Sequence, residues 1–572
     1  MTFPVLSARR AAAALTGIGL VTSAALVTSS AASSADQNYY VPVSKVWTVN
    51  GHGYGHGHGM SQYGAYGAAL RGLDYKQIVD FYYPKTSWST SKGKVRVLLS
   101  ADTSSDLVVR PQRRLQVHDL ADGTTWQLPT DGAIDLWRLT PAPDGTTAVQ
   151  FHDARGWHRW RVPGRRVTLA SDGQFQAAGP LTLMVPGGSS LAPKRYRGVL
   201  RSVRPYRGAT SRDTVNVLPM DAYVQGVVPY EMPTSWHQQA LRAQSVVART
   251  YAAWQRAQNP KRYYQICDTT SCQVYGGIAS EQASSNRAVR ATARKILTWD
   301  RKPAFTQFSA SSGGWTSAGS VPYLRALRDP YDAHAANSVH NWSVRVKASS
   351  LERAHPEVGR LVALRVTKRE RNGQWGGRVL QVVLEGTAGK AYLTGDDIRW
   401  ELGLRSTWFS VEPTPIIERW MRLGGRKSLL GTPSSGEYAV GNGAAQEFTG
   451  GRVFWTDAVG ARELRGRLLR AYRAHGGPTS NLRWPVSGVL DASNGGYKAR
   501  FQGGLIYAKS GPGAHVVRGR ILDKWASYHY AGGQFGYPTT DVHAVKGGQR
   551  VRFQGGTIIW HRATDTFTVK RR

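Results

Sequence analysis

The fold is decided by residues 215–254, VNVLPMDAYVQGVVPYEMPTSWHQQALRAQSVVARTYAAW. The first four residues alternate like a short strand, and Pro219 ends it. Asp221 can cap a short helix, after which Pro229 is expected to force the chain into an extended conformation. Glu231 is therefore predicted to lie in a loop, next to apolar and aromatic neighbours.

A second, longer helix is predicted to begin at Ser235, because Ser235 and Gln238 have the spacing of a capping box. Arg249 is expected on the side of this helix that faces away from the core. Apolar and aromatic residues recur at steps of four and three, which predicts one core-facing stripe formed by Trp236, Ala240, Ala243, Val247, Tyr251 and Trp254.

Glu231 thus precedes a helix in partly apolar surroundings. Apolar neighbours raise the pKa of a carboxyl group and let it hold a proton near neutrality, as acid–base catalysis requires, whereas a nearby helix N-terminus lowers the pKa. The alternative is an acid that only stabilises the start of the helix. Position alone favours this alternative, because acids are common at helix starts.

The same stretch resembles the signature of the SpoIID/LytB family, the relatives of stage II sporulation protein D. The matching positions are Leu218, Pro219, Tyr223, 226–228, 231–233, Ala243, Gln244 and 248–251. The resemblance implies a lytic transglycosylase of peptidoglycan in which Glu231 is catalytic and Arg249 is the important arginine of the helix. It also implies that Tyr230, beside the catalytic acid, contacts the substrate.

The length and composition limit the number of domains and the kinds of partner that can be expected. Its 572 residues suffice for two to four domains, and 74 Lys and Arg against 37 Asp and Glu give a net charge of +37. Such a charge favours polyanions: nucleic acid, anionic lipid or the acidic polymers of a cell wall. No nucleic-acid motif accompanies the charge, so nucleic acid is not expected as a partner.

The N-terminus is predicted to be a signal peptide, residues 1–35, cleaved near Ala35. Arg9 and Arg10 are basic, residues 11–27 are mostly small and apolar, and small residues precede the expected cleavage site. General secretion is preferred over twin-arginine export, and an uncleaved anchor is the alternative. We therefore expect a secreted protein associated with the cell wall.

The chain has two cysteines, Cys267 and Cys272. In an exported protein we expect them to form a disulfide. Some members of the family bind zinc near this position. A metal site needs three or four ligands, however, and no histidine lies within or beside this loop, so neither a metal nor another cofactor is expected.

Residues 51–64, GHGYGHGHGMSQYG, alternate glycine with other residues. His52, His56 and His58 could suggest a metal site, but their alternating spacing favours a shaped glycine-rich turn. The family carries a similar motif, usually after the rest of its catalytic domain, so here the motif has moved to the front. Such a rearrangement needs domain ends that lie close together. The resemblance implies that His56, Ser61 and Gln62 line the glycan groove, with a helix over 65–83 packed behind.

Two further regions belong to the predicted catalytic domain. Residues 94–207 are rich in strands and turns, and about 100–195 is interpreted as a β-rich insertion. Residues 311–316, SSGGWT, match another family motif whose hydroxyl and amide groups suit sugar binding, although a Ser/Gly cluster is more often a plain loop. The substrate-binding candidates there are Ser311, Ser312, Gly313, Gly314 and Thr316.

A repeat begins after Pro413. Pro433, Pro485 and Pro538 are 52 and 53 residues apart, and the phenylalanines of FTGG, FQGG and FQGG are 53 and 52 apart. These units resemble LGFP repeats, the first two with altered proline motifs. The resemblance implies attachment to the cell envelope, and a simple spacer is the alternative.

The predicted fold class is α+β: a catalytic domain over 36–411 with the β-rich insertion, followed by a separate three-repeat domain over 412–572. The resemblance implies cleavage of MurNAc–GlcNAc strands to 1,6-anhydro ends, with glycan strands as substrate and anionic wall polymers bound by the basic surface. One alternative is a non-catalytic wall-binding protein that stimulates an amidase partner. Another is a sugar-binding envelope module with a vestigial catalytic motif.

Overall fold

The structure is a computed structural model that describes residues 37–130, 132–164, 167–188 and 190–572. The predicted signal peptide, residues 1–35, lies outside the described residues. None of the helices in those residues is both long enough and apolar enough to cross a membrane.

The described residues combine helices with many strands, as an α+β chain should. The helices are α1 (Gln62–Leu70), α2 (Tyr75–Tyr82), α3 (Met220–Glu231), α4 (Gln238–Gln258), α5 (Ala283–Ala291), α6 (Ala348–Ala354), α7 (Gly395–Glu401), α8 (Pro415–Arg422), α9 (Gly466–Ala474) and α10 (Gly519–Ala526). The helix predicted over 65–83 is therefore two helices. The break between them contains Gly72, with φ of 87°, and Asp74 caps α2 through the amides of Lys76 and Gln77.

The strand before Glu231 lies inside a mixed seven-stranded sheet. It pairs antiparallel on both sides, with Val215 opposite Leu98 and Arg201. The spatial order is Ile266–Cys267, Lys94–Leu98, Asp213–Pro219, Val199–Val203, Gly173–Gln176, Gln116–Asp119 and Thr125–Gln127. Strands from the β-rich region thus continue the sheet that carries the Glu231 segment.

The rest of the β-rich region forms a second sheet. Its order is Gly156–Arg159, Thr147–Asp153, Leu136–Pro141, Leu107–Val109, Leu181–Gly187 and Ser190–Tyr196, with Thr168–Leu169 also pairing with Thr147–Asp153. Both sheets share one hydrophobic core with α3 and α4, in which Leu139, Phe175 and Val247 are fully buried. The predicted insertion is therefore built into the scaffold of the site.

Helix α4 is the centre of this core and packs against α1, α2, α3 and α5. It begins at Gln238, with His237 as its N-cap, rather than at Ser235, which lies in a preceding turn. Its apolar stripe is buried as predicted at Ala240, Ala243 and Val247. The opposite side is buried as well, including four polar side chains with 0 % exposure, Gln244, Ser245, Arg249 and Thr250.

A strand near the N-terminus of the described chain belongs to a second core. Val46–His52 lies between Asn341–Lys347 and Phe409–Val411, so the beginning and the end of the predicted catalytic domain pair directly. A four-stranded sheet packs beside them, in the order Gln37–Tyr40, Leu361–Arg369, Val379–Gly386 and Lys390–Thr394. This pairing supplies the proximity of ends that a relocated N-terminal motif requires.

The three repeats each form a small four-stranded antiparallel sheet after a short helix. The first has Tyr438–Val440, Gly443–Phe448, Gly451–Thr456 and Gly460–Arg465; the second Leu490–Ala492, Gly496–Phe501, Gly504–Lys509 and Gly513–Val517; the third His543–Val545, Gly548–Phe553, Gly556–His561 and Thr566–Arg571. In each repeat the motif proline bridges to the motif phenylalanine, as Pro485 does to Phe501. Their hydrophobic clusters are separate from those of residues 37–411.

Candidate functional site

Glu231 is the last residue of α3, which corrects its predicted placement in a loop. Pro229 lies inside the final turn, and the amide of Met232 still donates to the carbonyl of Val228 at 3.0 Å. The carbonyl of Gly226 accepts from the amide of Gly276 and the hydroxyl of Ser280, at 3.2 and 3.0 Å. These tertiary hydrogen bonds support the backbone where the proline interrupts the helical pattern.

The side chain of Glu231 opens into a cavity of about 410 Å³. The cavity is assembled from segments that are distant in sequence: His56, Tyr230 and Glu231, Tyr251, residues 270–274, Phe305, and Gln307 with Phe308. Among the described residues that line it, Glu231 is the only acid. The cavity therefore presents one carboxyl group against aromatic and polar walls.

Burial raises the pKa of Glu231 to about 7, and a hydrogen bond from Gln62 acts in the opposite direction. The group is thus poised to hold and release a proton near neutral pH. The predicted apolar surroundings are present, whereas the opposing influence of a helix N-terminus is not, because Glu231 ends α3 instead of starting α4.

Gln62 is the residue of the glycine-rich motif that reaches Glu231. Its Nε2 donates to Glu231 Oε2 at 3.4 Å, and it is the only side chain in the described part of the chain that hydrogen-bonds to this carboxyl group. The motif arrives there because Met60–Ser61 pairs parallel with Phe308–Ser309. A Cβ on Gly59 would lie 2.0 Å from the carbonyl oxygen of Gln307, so glycine is required for this approach.

His56 lines the cavity as a neutral imidazole. The pKa of His56 is lowered to about 3, mainly by burial and to a smaller extent by the nearby His58 and two arginines. Its Nδ1 accepts from the amide of His58 at 2.9 Å, which places the ring proton on Nε2. His56 therefore offers a hydrogen-bonding ring and not a positive charge.

Tyr230 forms the exposed side of the cavity, with 58 % of its surface accessible. Its ring packs directly on the backbone of Gly276, where an added Cβ would lie 2.3 Å from the tyrosine Cε2. An aromatic ring held in this way is available to contact a sugar at the mouth of the cavity.

Cys267 and Cys272 are joined by a disulfide, with a Cα–Cα distance of 5.5 Å. The loop that it closes, together with Gln273 and Val274, forms one wall of the cavity. Asp268 anchors the loop by accepting from the amide of Ser100 at 3.1 Å. No cluster of potential metal ligands is present among the described residues.

The hydroxyl groups of the SSGGWT segment lie beneath the site, which corrects their predicted contact with substrate. Ser311 and Ser312 are 0 % and 1 % exposed and donate to Asp332 and Asp329, respectively, at 2.8 Å. Thr316, 2 % exposed, donates to the carbonyl of Arg325 at 2.7 Å.

The same buried hydrogen-bond network includes backbone amides of that segment and a hydroxyl group of the glycine-rich motif. The amide of Gly313 donates to Asp332 at 3.0 Å, and that of Gly314 to the Ser312 hydroxyl at 3.2 Å. Ser61, 1 % exposed, donates to Asp332 at 2.6 Å. Neither Ser61 nor residues 311–316 line the cavity, because their polar groups join the two loops together.

Asp332 is the residue that holds this network, and sequence reasoning did not assign it that role. Burial opposes its charge, but hydrogen bonds from His340, Ser61 and Ser311 hold the pKa of Asp332 below its usual range. The hydrogen bond between His340 Nδ1 and Asp332 Oδ2 measures 2.7 Å. The sequence gives little indication of this role, because Asp332 lies 21 residues beyond Ser311 and only the fold brings the two side chains together.

Arg249 is fully buried away from the cavity lining. Its Nε donates to Asp221 Oδ1 at 2.6 Å, and its other nitrogens donate to the carbonyls of Ser245, Lys295 and Val289. These contacts tie α4 to the start of α3 and to α5. The arrangement favours a positioning role over contact with a reacting group.

The cavity also contains residues that sequence reasoning did not place in a site. The sequence pattern places Tyr251 in the core stripe, and Phe305 and Gln307 precede the SSGGWT segment without a motif of their own. Tyr251 could have been singled out, because it ends the ARTY pattern two residues after Arg249. Phe305 and Gln307 reach the site only through the folding of the chain.

Comparison with known proteins agrees with these motifs. The family model described as Stage II sporulation protein matches residues 209–299, and the LGFP repeat model matches 430–480, 482–533 and 535–572. The first match contains Glu231, Arg249 and both cysteines.

Individual relatives are similar over parts of the chain. Stage II sporulation protein D of Bacillus amyloliquefaciens is 31 % identical over 252 residues, which cover 39 % of this chain and 66 % of the relative. The amidase enhancer of Bacillus subtilis (strain 168) is 41 % identical over 115 residues, 19 % of this chain and 15 % of the relative. Stage II sporulation protein D of the same strain is 32 % identical over 155 residues, 23 % and 44 % of the two chains. In each case the chain spans less than two thirds of the relative's length.

Proposed function

Because the chain carries a domain of the stage II sporulation protein family and three LGFP repeats, we propose that it is an exported lytic transglycosylase of peptidoglycan. Glycan strands are the substrate, and the repeats attach the enzyme to the cell envelope. The observation that carries the proposal is a single carboxyl group, Glu231, in a cavity of about 410 Å³ with its pKa raised to about 7.

The reaction needs one group that first gives and then takes a proton. Protonated Glu231 donates to the glycosidic oxygen, and the bond between MurNAc C1 and that oxygen breaks through an oxocarbenium-like state. The resulting carboxylate removes the proton from the C6 hydroxyl of the same MurNAc. The C6 oxygen then closes on C1, which gives a 1,6-anhydro end and returns Glu231 to its protonated form. No water is consumed.

Residues that contact Glu231 or line the cavity support this chemistry. Gln62 orients the Glu231 carboxyl through its hydrogen bond of 3.4 Å. Tyr230 and Tyr251 offer aromatic faces to the sugar rings, and the neutral His56 adds no competing charge. A hydrolase of the usual kind places a second carboxylate about 5–9 Å from the first. The absence of a second acid from the described lining residues favours the route that uses one carboxyl group.

The test is mass spectrometry of the fragments released from peptide-free glycan strands and, separately, from intact sacculi. We expect 1,6-anhydro-MurNAc ends with the wild-type protein and none with Glu231→Gln. Glu418→Gln, an exposed glutamate on α8, is the matched control and should retain activity. Fragments with reducing ends instead of anhydro ends would indicate a hydrolase and overturn the proposed reaction.

A second function is favoured by one comparison, the similarity to the amidase enhancer of Bacillus subtilis (strain 168). In this function the chain binds the wall and stimulates a separate amidase without cutting glycan itself. The same reactions distinguish the two: no glycan product from either substrate, together with faster release of stem peptides when a cell-wall amidase is added, would support stimulation.

A further inference from the structure

The second repeat contains a polar cavity distinct from the proposed glycan site. Its volume is about 630 Å³, and it lies between residues 478–483, the turn at Gln502–Gly503 and the junction at Arg518–Gly519. The side chains of Arg483 and Arg518 line it. In the part of the chain that the structure describes, neither guanidinium group forms a hydrogen bond or an ion pair. Both charges are therefore free to bind a ligand.

The backbone of Arg483 adopts a conformation that suits glycine. Its φ is 54°, close to the 69° of Gly431 and the 61° of Gly536, which occupy the same position of the motif in the other two repeats. The left-handed region is unfavourable for a residue with a Cβ. The second repeat thus carries an arginine where the repeat geometry favours glycine, and a strained residue of this kind points to a use for its side chain.

In the flanking repeats a side chain at this position would force a neighbouring side chain to move. A Cβ on Gly431 would lie 2.1 Å from Thr449 Oγ1, and one on Gly536 would lie 2.9 Å from Gln554 Oε1. In the second repeat the corresponding Gln502 accepts from the amide of Trp484 at 3.3 Å, as Thr449 and Gln554 do from the equivalent amides, and it forms part of the cavity lining. Among the three repeats, the second therefore has an arginine at the motif position that glycine holds in the other two, and this arginine lines a cavity.

We propose that Arg483 and Arg518 bind a phosphate group of an anionic envelope polymer. Two guanidinium groups present more donors than the two oxygens of one carboxylate can accept, whereas a phosphate offers additional oxygens in a tetrahedral arrangement. The net charge of +37 attracts such a polymer to the surface. The identity of the ligand as an envelope polymer rests on the proposed function; the anion site itself does not.

Binding is measured by isothermal titration calorimetry on the full mature chain, at constant ionic strength, with inorganic phosphate, glycerol 3-phosphate and acetate. We expect both phosphates to bind and acetate to bind more weakly. Arg483→Gly should weaken phosphate binding by about tenfold or more, while its thermal unfolding midpoint stays equal or rises, because glycine suits the positive φ. This variant separates loss of binding from loss of folding.

Arg518→Gln provides the second arm. Arg518 is the N-cap residue of α10, but its side chain makes no capping hydrogen bond, so the substitution should weaken phosphate binding without unfolding the helix. Arg470→Gln, an exposed arginine on α9, is the charge-matched control and should bind phosphate normally.

The proposal is overturned if Arg483→Gly and Arg518→Gln bind phosphate like the wild type, or if Arg470→Gln is weakened as much as they are. Equal binding of acetate would overturn the choice of phosphate. Glycan cleavage by Arg483→Gly should be unchanged on soluble strands. A chain that binds phosphate but never cuts glycan would leave this site intact and refute the proposed function alone.

Discussion

The protonation state of Glu231 should control the rate of glycan cleavage. Since burial raises its pKa to about 7, the protonated form dominates below that pH and decreases about tenfold for each pH unit above it. We expect kcat/KM on peptide-free strands to decrease as pH rises through about 7. A carboxyl group with an ordinary pKa would instead lose its proton near 4.5, so a rate that already falls between pH 5 and 6 would contradict this assignment.

Gln62 should influence the same titration from outside the reaction. Its hydrogen bond stabilises the ionised form of Glu231 and lowers the pKa of that carboxyl group. Gln62→Leu removes the donor, so the decrease of kcat/KM should move to higher pH while the maximal rate falls because the carboxyl is less well oriented. The measurement is the pH profile of both proteins. A residue that merely supports the fold would lower the rate at every pH and leave the midpoint unchanged.

Helix boundaries near the site show what could be predicted from sequence and what could not. Local patterns identified the strand before Glu231, the two helices around it and the buried face of α4, because these depend on neighbours in the chain. The last turn of α3 is also held by hydrogen bonds from Gly276 and Ser280, about 50 residues away, to the carbonyl of Gly226. No local rule contains those contacts.

The candidate site, too, could be predicted from the sequence only in part. Glu231 and Gln62 could be named from motifs, yet their contact joins residues 169 positions apart and required the fold. The hydroxyl groups of residues 311–316 suit sugar binding as chemical groups, but Asp329 and Asp332 bind them inside the protein. Sequence patterns therefore indicated which segments meet, and packing decided which of their side chains reach the cavity.

The ion pair between α4 and α3 should matter for stability more than for chemistry. Arg249 is fully buried, whereas the Asp221 side chain is 33 % exposed. Asp221→Ala leaves the buried guanidinium without its carboxylate and should reduce the free energy of unfolding by about 3 kcal/mol. The measurement is urea denaturation, together with the pH profile of the folded variant.

The double variant Asp221→Ala/Arg249→Met is the control for that experiment. It removes the unpaired charge and should recover part of the lost stability. If Asp221→Ala shifted the pH midpoint of kcat/KM while leaving stability unchanged, the ion pair would be acting on the reaction, and the positioning role would be wrong.

The disulfide between Cys267 and Cys272 should keep one wall of the cavity in place. Closing so short a loop contributes about 2 kcal/mol by restricting the unfolded chain. The loop lines the cavity but supplies no acid or base, so Cys267→Ser/Cys272→Ser should raise KM severalfold and change kcat less. Steady-state kinetics on soluble strands measures this split. An equal fall in kcat with unchanged KM would mean that the wall acts in the transition state.

The chain is divided into two parts with separate hydrophobic cores, which correspond to the proposed cutting and attachment. The hydrophobic clusters that support the cavity draw on residues 41–411, and the clusters of the repeats draw on residues 416–558. Contacts between the two parts are polar in part, as where the amide of Val43 donates to Glu437 at 3.2 Å. Each part therefore has its own core, which is what independent folding requires.

Removing residues 412–572 should therefore abolish retention on the wall while sparing catalysis. We expect the shortened protein to cleave soluble peptide-free strands at a rate close to that of the full chain. It should remain in the supernatant when intact sacculi are sedimented at about 0.15 M salt. At this salt concentration, charges further apart than about 8 Å are largely screened. The full chain should sediment with the sacculi. Circular dichroism of the shortened protein confirms that it is folded before the comparison. The repeats lie outside the cavity lining. A shortened protein that is folded but inactive on soluble strands would therefore mean that the repeats take part in the reaction itself. A shortened protein that still sediments with the sacculi would place the wall-binding surface on residues 37–411.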